Sequence, residues 1–296
     1  MGAQWSQFFP PTATFTERDV PPQDGRIFLI TGGTSGIGFE LAKILYGLRG
    51  KVYIAGRSQE KAQGAIRETQ TAFPDFAGSL DFIYVDLADL STIKPAVETF
   101  KTKDPRLDIL FNSAGVSQPP LGSVSKQGIE LSVPNGGLLM SEIRSPPTND
   151  NARNYTNSKT GNNFLSAEFE RRNGNGQSNS MIATTAMSDI ISVSLNPGAV
   201  KTELFRHTPY LNYVAWPLLY SPKLAAYTLL FAGLSRKVAA AAMYRGGWCY
   251  VVPWGRLPAT GLRGDIVDAT KEKSQDGKAV AEEFWEWCED TTRGHL

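Results

Sequence analysis

The stretch that decides the fold is RIFLITGGTSGIGFELAKILYGL, residues 26–48. It opens with an apolar, β-branched run, passes through a glycine-rich segment and continues with apolar residues at helical spacing. This succession predicts a strand, a tight turn and a helix. Glycines in such a turn let backbone amides approach a phosphate, and the helix N-terminus stabilises its negative charge. The stretch therefore predicts a dinucleotide-binding unit.

Further strands and helices are predicted to alternate along the chain. Strand composition recurs in KVYIAGRS, LDFIYVDLAD, LDILFNSAG and a later run that ends at residues 196–198, NPG. Helical patterns lie in EKAQGAIRETQTAF, STIKPAVETFKTK, LAAYTLLFAGLS and KAVAEEFWEWCEDTTR. The alternation predicts an α/β protein with a doubly wound parallel sheet of Rossmann type. We expect an extended lead-in over residues 1–24 and a single domain over residues 25–296.

Composition narrows the class of protein. The chain has 296 residues, 41% of them hydrophobic, which suffices for one large core. Its 30 basic and 29 acidic residues form no basic block, so a nucleic-acid partner is not expected. Cys249 and Cys288 lie far apart without a CxxC pattern, which argues against a disulfide framework or a metal site and favours a cytoplasmic location.

Two segments bear on membrane attachment. MGAQWS matches the N-myristoylation pattern, with Gly2 as the acceptor and Ser6 in the required place, although a short pattern also matches by chance. One acyl chain would give at most weak membrane association. The apolar segment 211–234 is interrupted by Pro217 and Pro222, which favours helices of a globular domain over a membrane span.

The spacing TGxxxGxG at residues 31–38 resembles the short-chain dehydrogenase/reductase family. The resemblance implies that NADP(H) or NAD(H) is bound by Gly32, Thr34, Ser35, Gly36, Ile37 and Gly38. Arg57 ends the second strand, where an NAD-specific site would have an acidic residue, and a guanidinium there favours the 2′-phosphate of NADPH. The alternative is that Arg57 is a solvated loop residue.

The same resemblance assigns the remaining cofactor contacts. It places Asp86 against the adenine amino group and Asn112, in the sequence NSAG, beneath the adenine ribose. Val200 and Thr202 resemble the residues that contact the nicotinamide amide and the phosphates.

Tyr155 and Lys159 are the expected catalytic pair. Their separation of four residues puts them on one helix face, and Tyr155 is the only tyrosine followed by a lysine at this spacing. A cation beside a phenol lowers the phenol pKa, so that Tyr155 could pass a proton to a carbonyl. In the family the lysine also binds the nicotinamide ribose. A chance match is the alternative for such a short pattern.

The segment between these motifs is shorter than the family requires. The chain contains SQFFPP, KVYIAGRS, SVSLNPGAVKTEL, PWGR and EEFWEWCE. In these segments it most resembles fungal light-induced alcohol dehydrogenase-like proteins, and the resemblance implies a helix with a catalytic Asn and then a strand ending in a catalytic Ser. Residues 116–154 hold no continuous pattern for either, and ELSVPNGGLLM at residues 130–140 looks like a junction. Ser132 and Ser141 are candidate replacements, although a solvated loop serine is the plainer interpretation of each.

The substrate side leaves two hypotheses open. Residues 203–235 occupy the place of a substrate lid, and the lid's aromatic residues are Phe205, Tyr210, Tyr213, Trp216 and Tyr220. They suggest a lipophilic ketone or alcohol of fungal secondary metabolism, or they pack on the core or on a second subunit of a homo-oligomer. The chain is thus either an NADPH-dependent oxidoreductase or a catalytically impaired cofactor-binding relative. A transcript that restores the missing segment between Leu131 and Ser132 would instead make the chain a gene-model artefact.

Overall fold

In a computed structural model of the protein, the structure describes eleven stretches of the chain. They are residues 6–75, 78–116, 119–120, 123–129, 140, 151–174, 190–202, 219–244, 249–258, 264–271 and 279–295.

Four parallel strands form the larger sheet, in the order β3-β2-β1-β4. The strands are β1 (Ile27–Thr31), β2 (Lys51–Gly56), β3 (Ser79–Tyr84) and β4 (Ile109–Asn112). Their order and direction confirm the predicted Rossmann-type fold, because the chain starts at the centre, moves outward to β3 and returns to the other side of β1.

The two faces of this sheet are covered by different helices. Phe28 and Ile30 of β1 point to one face, which packs against α1 (Gly36–Gly47) and α2 (Gln59–Ala72). Ile27 points to the opposite face, which packs against α3 (Ile93–Lys103). Side chains alternate between faces because a strand has a period of two residues.

Two further strands form a separate parallel sheet. β5 (Val193–Leu195) pairs with β6 (Cys249–Val251), and in the described part of the chain neither strand pairs with β4. The expected single sheet is therefore divided into two sheets. Much of the chain between β4 and β5 lies outside the described residues, so the predicted loss of an intervening strand stays a prediction.

One helix connects the two sheets. α5 (Pro222–Leu234) contributes Leu230 to the core of the larger sheet and Phe231 to the core of the smaller one. A Cβ atom on Gly233 would lie 2.7 Å from Cζ of Phe111 in β4, so this glycine permits the close approach of α5 to the sheet. α6 (Arg236–Tyr244) follows and covers β6 with Val238.

The C-terminal part packs on one long helix. α4 (Asn151–Gly174) buries Phe164 against α7 (Gly264–Ala269) and α8 (Val280–Thr292). α8 confirms the helix that the sequence predicts near the C-terminus. Buried Glu168 forms ion pairs with Arg171 and Arg172, so its charge is compensated. Among the described residues, no helix is long and apolar enough to cross a membrane.

The N-terminal lead-in combines extended segments with short helical turns. Residues 6–8 form one turn and Glu17–Asp19 form a 3₁₀ helix, which Thr16 caps. The Phe15 ring packs edge-on against Phe231, with 5.4 Å between ring centroids. These contacts attach the lead-in to α5.

Candidate active site

The turn between β1 and α1 is built from glycines that cannot be replaced without clashes. Gly32 and Gly36 have φ angles of 69° and 57°, in the left-handed region that favours glycine. A Cβ atom on Gly32 would lie 2.9 Å from Cα of Ala114, and one on Gly38 would lie 2.7 Å from the carbonyl oxygen of Gly32. The turn therefore presents backbone and no side chains at these positions.

The first turn of α1 is suited to an anion. Ser35 is extended and, within the described contacts, its side chain does not cap the helix. No acidic residue occurs in the first turn of α1. The N–H groups at this end lack partners within the helix and carry the positive end of its dipole. The glycine-rich turn and the start of α1, residues 32–38, form a cradle that fits a pyrophosphate, as the sequence predicts.

Thr34, Ile37 and Arg57 flank the cradle. A Cβ atom on Gly56 would be 3.7 Å from Cγ2 of Thr34, so the end of β2 lies beside the turn. Arg57 follows Gly56 and is exposed. Ile37 is half-buried and anchors α1 in the core of the larger sheet.

The ends of β3 and β4 hold the next two predicted residues. The Asp86 carboxylate accepts a hydrogen bond of 3.0 Å from the Ala88 amide, and the backbone N–H of Asp86 donates to the Thr92 hydroxyl at 2.9 Å. Asn112 is the last residue of β4 and is exposed. Thr31 Oγ1 accepts from the Ala114 amide at 3.1 Å, which joins the carboxyl ends of β1 and β4.

The loop after β5, residues 196–202, reaches the phosphate cradle, and we call it the cofactor loop. A Cβ atom on Gly36 would lie 3.3 Å from Cγ2 of Thr202. Val200 is buried and forms a bridge with Tyr220. The two predicted nicotinamide-side residues, Val200 and Thr202, therefore belong to one segment that contacts the cradle.

Trp254 packs against this loop at Gly198. Gly198 has a φ of 83°, and a Cβ atom there would lie 3.3 Å from Pro253 and 3.8 Å from the indole nitrogen of Trp254. Trp254 itself has a φ of 65°, which is uncommon for a bulky residue. Its buried indole N–H has no hydrogen-bond partner among the described residues. The backbone N–H of Trp254 donates to the Thr228 hydroxyl at 3.0 Å.

Lys159, the predicted catalytic lysine, lies close to the end of β4. Its Nζ atom is 3.7 Å from the position of a Cβ atom on Gly115, just after β4. Burial of the ammonium lowers the pKa of Lys159, although the residue as a whole is exposed. Tyr155 lies one turn earlier in α4, which places the pair on one helix as predicted. The side chain of Tyr155 lies outside the described residues.

Several predicted features fall outside the described residues. These are Gly2, Ser132, Ser141 and the lid residues Phe205, Tyr210, Tyr213 and Trp216. Tyr220 is described, and its ring contacts Trp254 edge-on at 4.5 Å.

One neighbour of the site could not be predicted from the sequence. Asn196 Nδ2 donates to Gln7 Oε1 at 2.9 Å, and Arg256 Nη2 donates to the Ser6 carbonyl at 2.8 Å. Pairs separated by 189 and 250 residues leave no periodic pattern in a sequence. The N-terminal turn is thus a neighbour of the cofactor loop.

Known proteins resemble the chain along almost its whole length. Residues 26–133 match the family model of short chain dehydrogenases. A protein of Phomopsis amygdali named short-chain dehydrogenase/reductase is 34% identical, and the match covers 99% of this chain and 97% of that protein. The chain belongs to the short-chain dehydrogenase/reductase family. It is accordingly an NAD(P)-dependent oxidoreductase by family.

Other members agree with this assignment. A short-chain dehydrogenase/reductase of Pestalotiopsis fici is 34% identical over 99% of this chain and 98% of its own length. The crystal structure of an uncharacterised Mycobacterium paratuberculosis protein has a TM-score of 0.61 at 20% identity, covering 95% of this chain and 98% of that chain. The solved structure shares the fold.

The matches to two relatives are longer than this chain. The matches to the Phomopsis and Pestalotiopsis proteins extend over 338 and 342 positions, against the 296 residues of this chain. At least 42 positions of the first match therefore have no counterpart in this short-chain dehydrogenase/reductase. The family-model match ends at residue 133, inside the stretch 130–140.

Proposed function

We propose that this chain is an NADPH-dependent reductase of a lipophilic ketone or aldehyde, or a dehydrogenase of the corresponding alcohol. The observation that carries the proposal is the set of close contacts around the cradle. Gly32 lies close to Ala114, Gly36 lies close to Thr202, and Gly115 lies close to Lys159. These contacts bring the phosphate cradle, the nicotinamide-side loop and the catalytic lysine together at the carboxyl edge of the strands, where ligands of such sheets bind.

The described residues fit the proposed cofactor. The amides of residues 35–38 would hold the pyrophosphate, because the glycines leave the backbone accessible. Arg57 would bind the 2′-phosphate, since a guanidinium presents a fork of donors to phosphate oxygens. Asp86 and Asn112 would bind the adenosine part, and Val200 and Thr202 the nicotinamide part. When bound, the nicotinamide supplies or accepts the hydride.

Tyr155 and Lys159 would handle the proton. A charged Lys159 one helical turn from Tyr155 favours the phenolate, so the phenol gives its proton to a carbonyl oxygen more readily. Burial lowers the pKa of Lys159 below its ordinary value of 10.5, so the ammonium loses its charge at a lower pH than a solvated lysine. The support for Tyr155 should therefore decline as the pH rises toward that value.

Substrate and setting are inferred from the sequence features. The aromatic residues of the lid segment support an apolar substrate, and the resemblance to a fungal branch supports a tailoring step in secondary metabolism. The two free cysteines in the described residues, Cys249 and Cys288, accord with a cytoplasmic location. We include a homo-oligomer in the proposal, which sedimentation of the purified chain would test.

The first experiment tests cofactor preference by calorimetric titration with NADPH and NADH. Arg57→Ala should weaken NADPH binding by about ten- to a hundredfold, because a charge-assisted hydrogen bond to phosphate is lost. NADH affinity should change by less than about twofold, since NADH has no 2′-phosphate. Arg67→Ala, which removes an exposed arginine of α2, is the matched control. Equal losses for both cofactors would contradict the role of Arg57.

The second experiment tests the chemistry with a series of ketones and NADPH. Tyr155→Phe should reduce kcat by about 10²–10⁴-fold, the usual contribution of a positioned acid. The Kd of NADPH should stay nearly unchanged, because the phenol hydroxyl acts on the substrate. An unchanged kcat in Tyr155→Phe would remove Tyr155 from the mechanism.

A second candidate function is a cofactor-binding protein without turnover. It is favoured by the 42 or more relative positions that have no counterpart in this chain. NADPH binding without turnover of any ketone in the series would support it over the enzyme.

A further inference from the structure

The N-terminal strap, which we define as Ser6–Phe9, is attached to the site by its polar groups. The Ser6 carbonyl accepts from Arg256, and Gln7 Oε1 accepts from Asn196. The Phe8 carbonyl lies 3.5 Å from the hydroxyl of Tyr220, at the long end of hydrogen-bonding distance. The partners are spread over three different segments of the chain, so they fix the position of the strap and not merely its conformation.

These partners define where the strap lies. Asn196 follows β5 and Arg256 follows β6, so both belong to the carboxyl edge of the smaller sheet. Ligands of parallel α/β sheets bind outside this edge. The strap therefore crosses the side of the sheet that holds the cofactor loop.

Tyr220 links the strap to the proposed nicotinamide contacts. Its backbone N–H donates to the Ala199 carbonyl, and its carbonyl accepts from the Lys201 amide, both at 2.9 Å. These two bonds flank Val200. Tyr220 also belongs to the predicted lid segment, so this one lid residue contacts both the strap and the cofactor loop.

The phenylalanine side chains of the strap are exposed and do not belong to the buried core. Phe8 is 66% exposed and Phe9 is 44% exposed, whereas Phe15 of the same lead-in packs against Phe231. Hydrogen bonds of the strap backbone hold an exposed apolar ring beside the site. An exposed apolar ring contributes favourable free energy when an apolar ligand covers it.

We propose that Phe8 is a specificity-determining residue, whose ring covers the apolar part of a lipophilic ketone bound beside Val200 and Tyr220. The inference rests on the proposed function for the reacting end of the substrate. It adds the segment that recognises the other end. Exposure of the ring in the absence of substrate is then expected, since the substrate completes its burial.

The test places a fluorine label on the ring and does not depend on turnover. The full chain is prepared with Phe8 replaced by 4-fluorophenylalanine and is titrated with 2-undecanone, with and without NADPH, while the ¹⁹F spectrum is recorded. A saturable shift of the label is expected with 2-undecanone, and none with acetone, which has no apolar chain. The matched control carries the label in place of Tyr84, an exposed aromatic at the end of β3, and should not respond.

Kinetics of Phe8→Ala give the second measurement. KM for 2-undecanone should rise about tenfold, as expected when one apolar side chain no longer covers the substrate, and KM for acetone should not change. kcat and the Kd of NADPH should stay constant, because Phe8 does not contact the reacting atoms. A variant that had merely lost structure would lose affinity for NADPH and for both ketones together.

The outcomes separate the two proposals. A label shift without turnover supports the role of Phe8 and contradicts the proposed enzyme. Turnover of 2-undecanone without a label shift, or with an unchanged KM in Phe8→Ala, overturns the role of Phe8 alone. If neither a label shift nor turnover is observed, both proposals are overturned.

Discussion

Strands β2 and β5, one from each sheet, differ in how completely they are buried. In β2 four consecutive residues, 52–55, are buried, because helices cover both faces. In β5 only the central Ser194 is buried. In β4, Leu110 is 47% exposed. The larger sheet thus contains the most continuously buried strand, whereas the smaller sheet packs against α5 and α6.

The two sheets contribute differently to the molecule: the larger one supplies most of the buried core, whereas both supply predicted cofactor contacts. The larger sheet supplies the cradle around Gly32 and most of the buried core. The smaller sheet supplies Val200 and Thr202, which reach the cradle although their sheet has no ladder with it in the described residues. A shortened middle segment can therefore leave the phosphate cradle intact while it alters the substrate side.

The largest expected effect compares the two cores. Phe28→Ala in β1 should lower the free energy of unfolding by about 3–5 kcal/mol, because the fully buried ring leaves a cavity. Val251→Ala in β6 should cost only about 2 kcal/mol, since fewer buried carbons are removed. Urea unfolding followed by circular dichroism measures both. If Val251→Ala proved as costly as Phe28→Ala, the smaller sheet would be as firmly packed as the larger one.

An intermediate effect is expected at the joint between the sheets. Gly233→Ala adds a Cβ atom 2.7 Å from Cζ of buried Phe111, and such overpacking costs about 1–3 kcal/mol. Alanine recovers about 1 kcal/mol of helix propensity, so a net loss of about 1 kcal/mol is expected. Gly64→Ala in α2, where nothing lies within 4 Å, should show the helix gain alone. A stabilised Gly233→Ala protein would mean that α5 is not fixed against β4.

The smallest expected effects concern the pH dependence of stability, which has opposite signs at Asp104 and at Glu170. Burial acts to raise the pKa of Asp104 beside β2, but hydrogen bonds from Lys51 and Tyr53 outweigh it and hold the pKa below 3.8. Its stabilisation is present above 3.8 and is lost as the pH falls through the folded-state pKa. Asp104→Asn should therefore lack this acid-dependent loss.

Glu170 in α4 has the reverse dependence. Burial raises its pKa above 4.5, although the Ser192 amide donates to its carboxylate and opposes the shift. Its contribution is present below 4.5 and is lost as the pH rises through the folded-state pKa. Glu170→Gln should be less sensitive to that rise. Urea midpoints of both variants across the acidic range measure the two signs, and parallel profiles would contradict the contrast.

The larger sheet could be predicted because its information is local. Residues 26–48 contain a strand, a turn and a helix in unbroken succession, and right-handed crossovers then restrict the order of the neighbouring strands. The order of the motifs along the chain predicted the catalytic role of Lys159, which stays a prediction. The side chain of Tyr155 and the preference of Arg57 for NADPH stay predictions.

The division into two sheets could not be derived in the same way. The short stretch 116–154 predicted a missing strand but not whether its neighbours would pair with each other. The separation depends on contacts of α5, such as Gly233 against Phe111, which are tertiary and have no sequence period. The contact of Gln7 with Asn196 is of the same kind.

Trp254 gives the molecule an optical property. Its indole ring is 4% exposed and lies under Gly198 at the start of the cofactor loop, in contact with Tyr220. An indole shielded from water emits at shorter wavelength than a hydrated one, and reduced nicotinamide absorbs in the region of indole emission. Trp254 is therefore placed to act as a built-in fluorescence donor, and its quenching would report the arrival of the reduced cofactor without any added label.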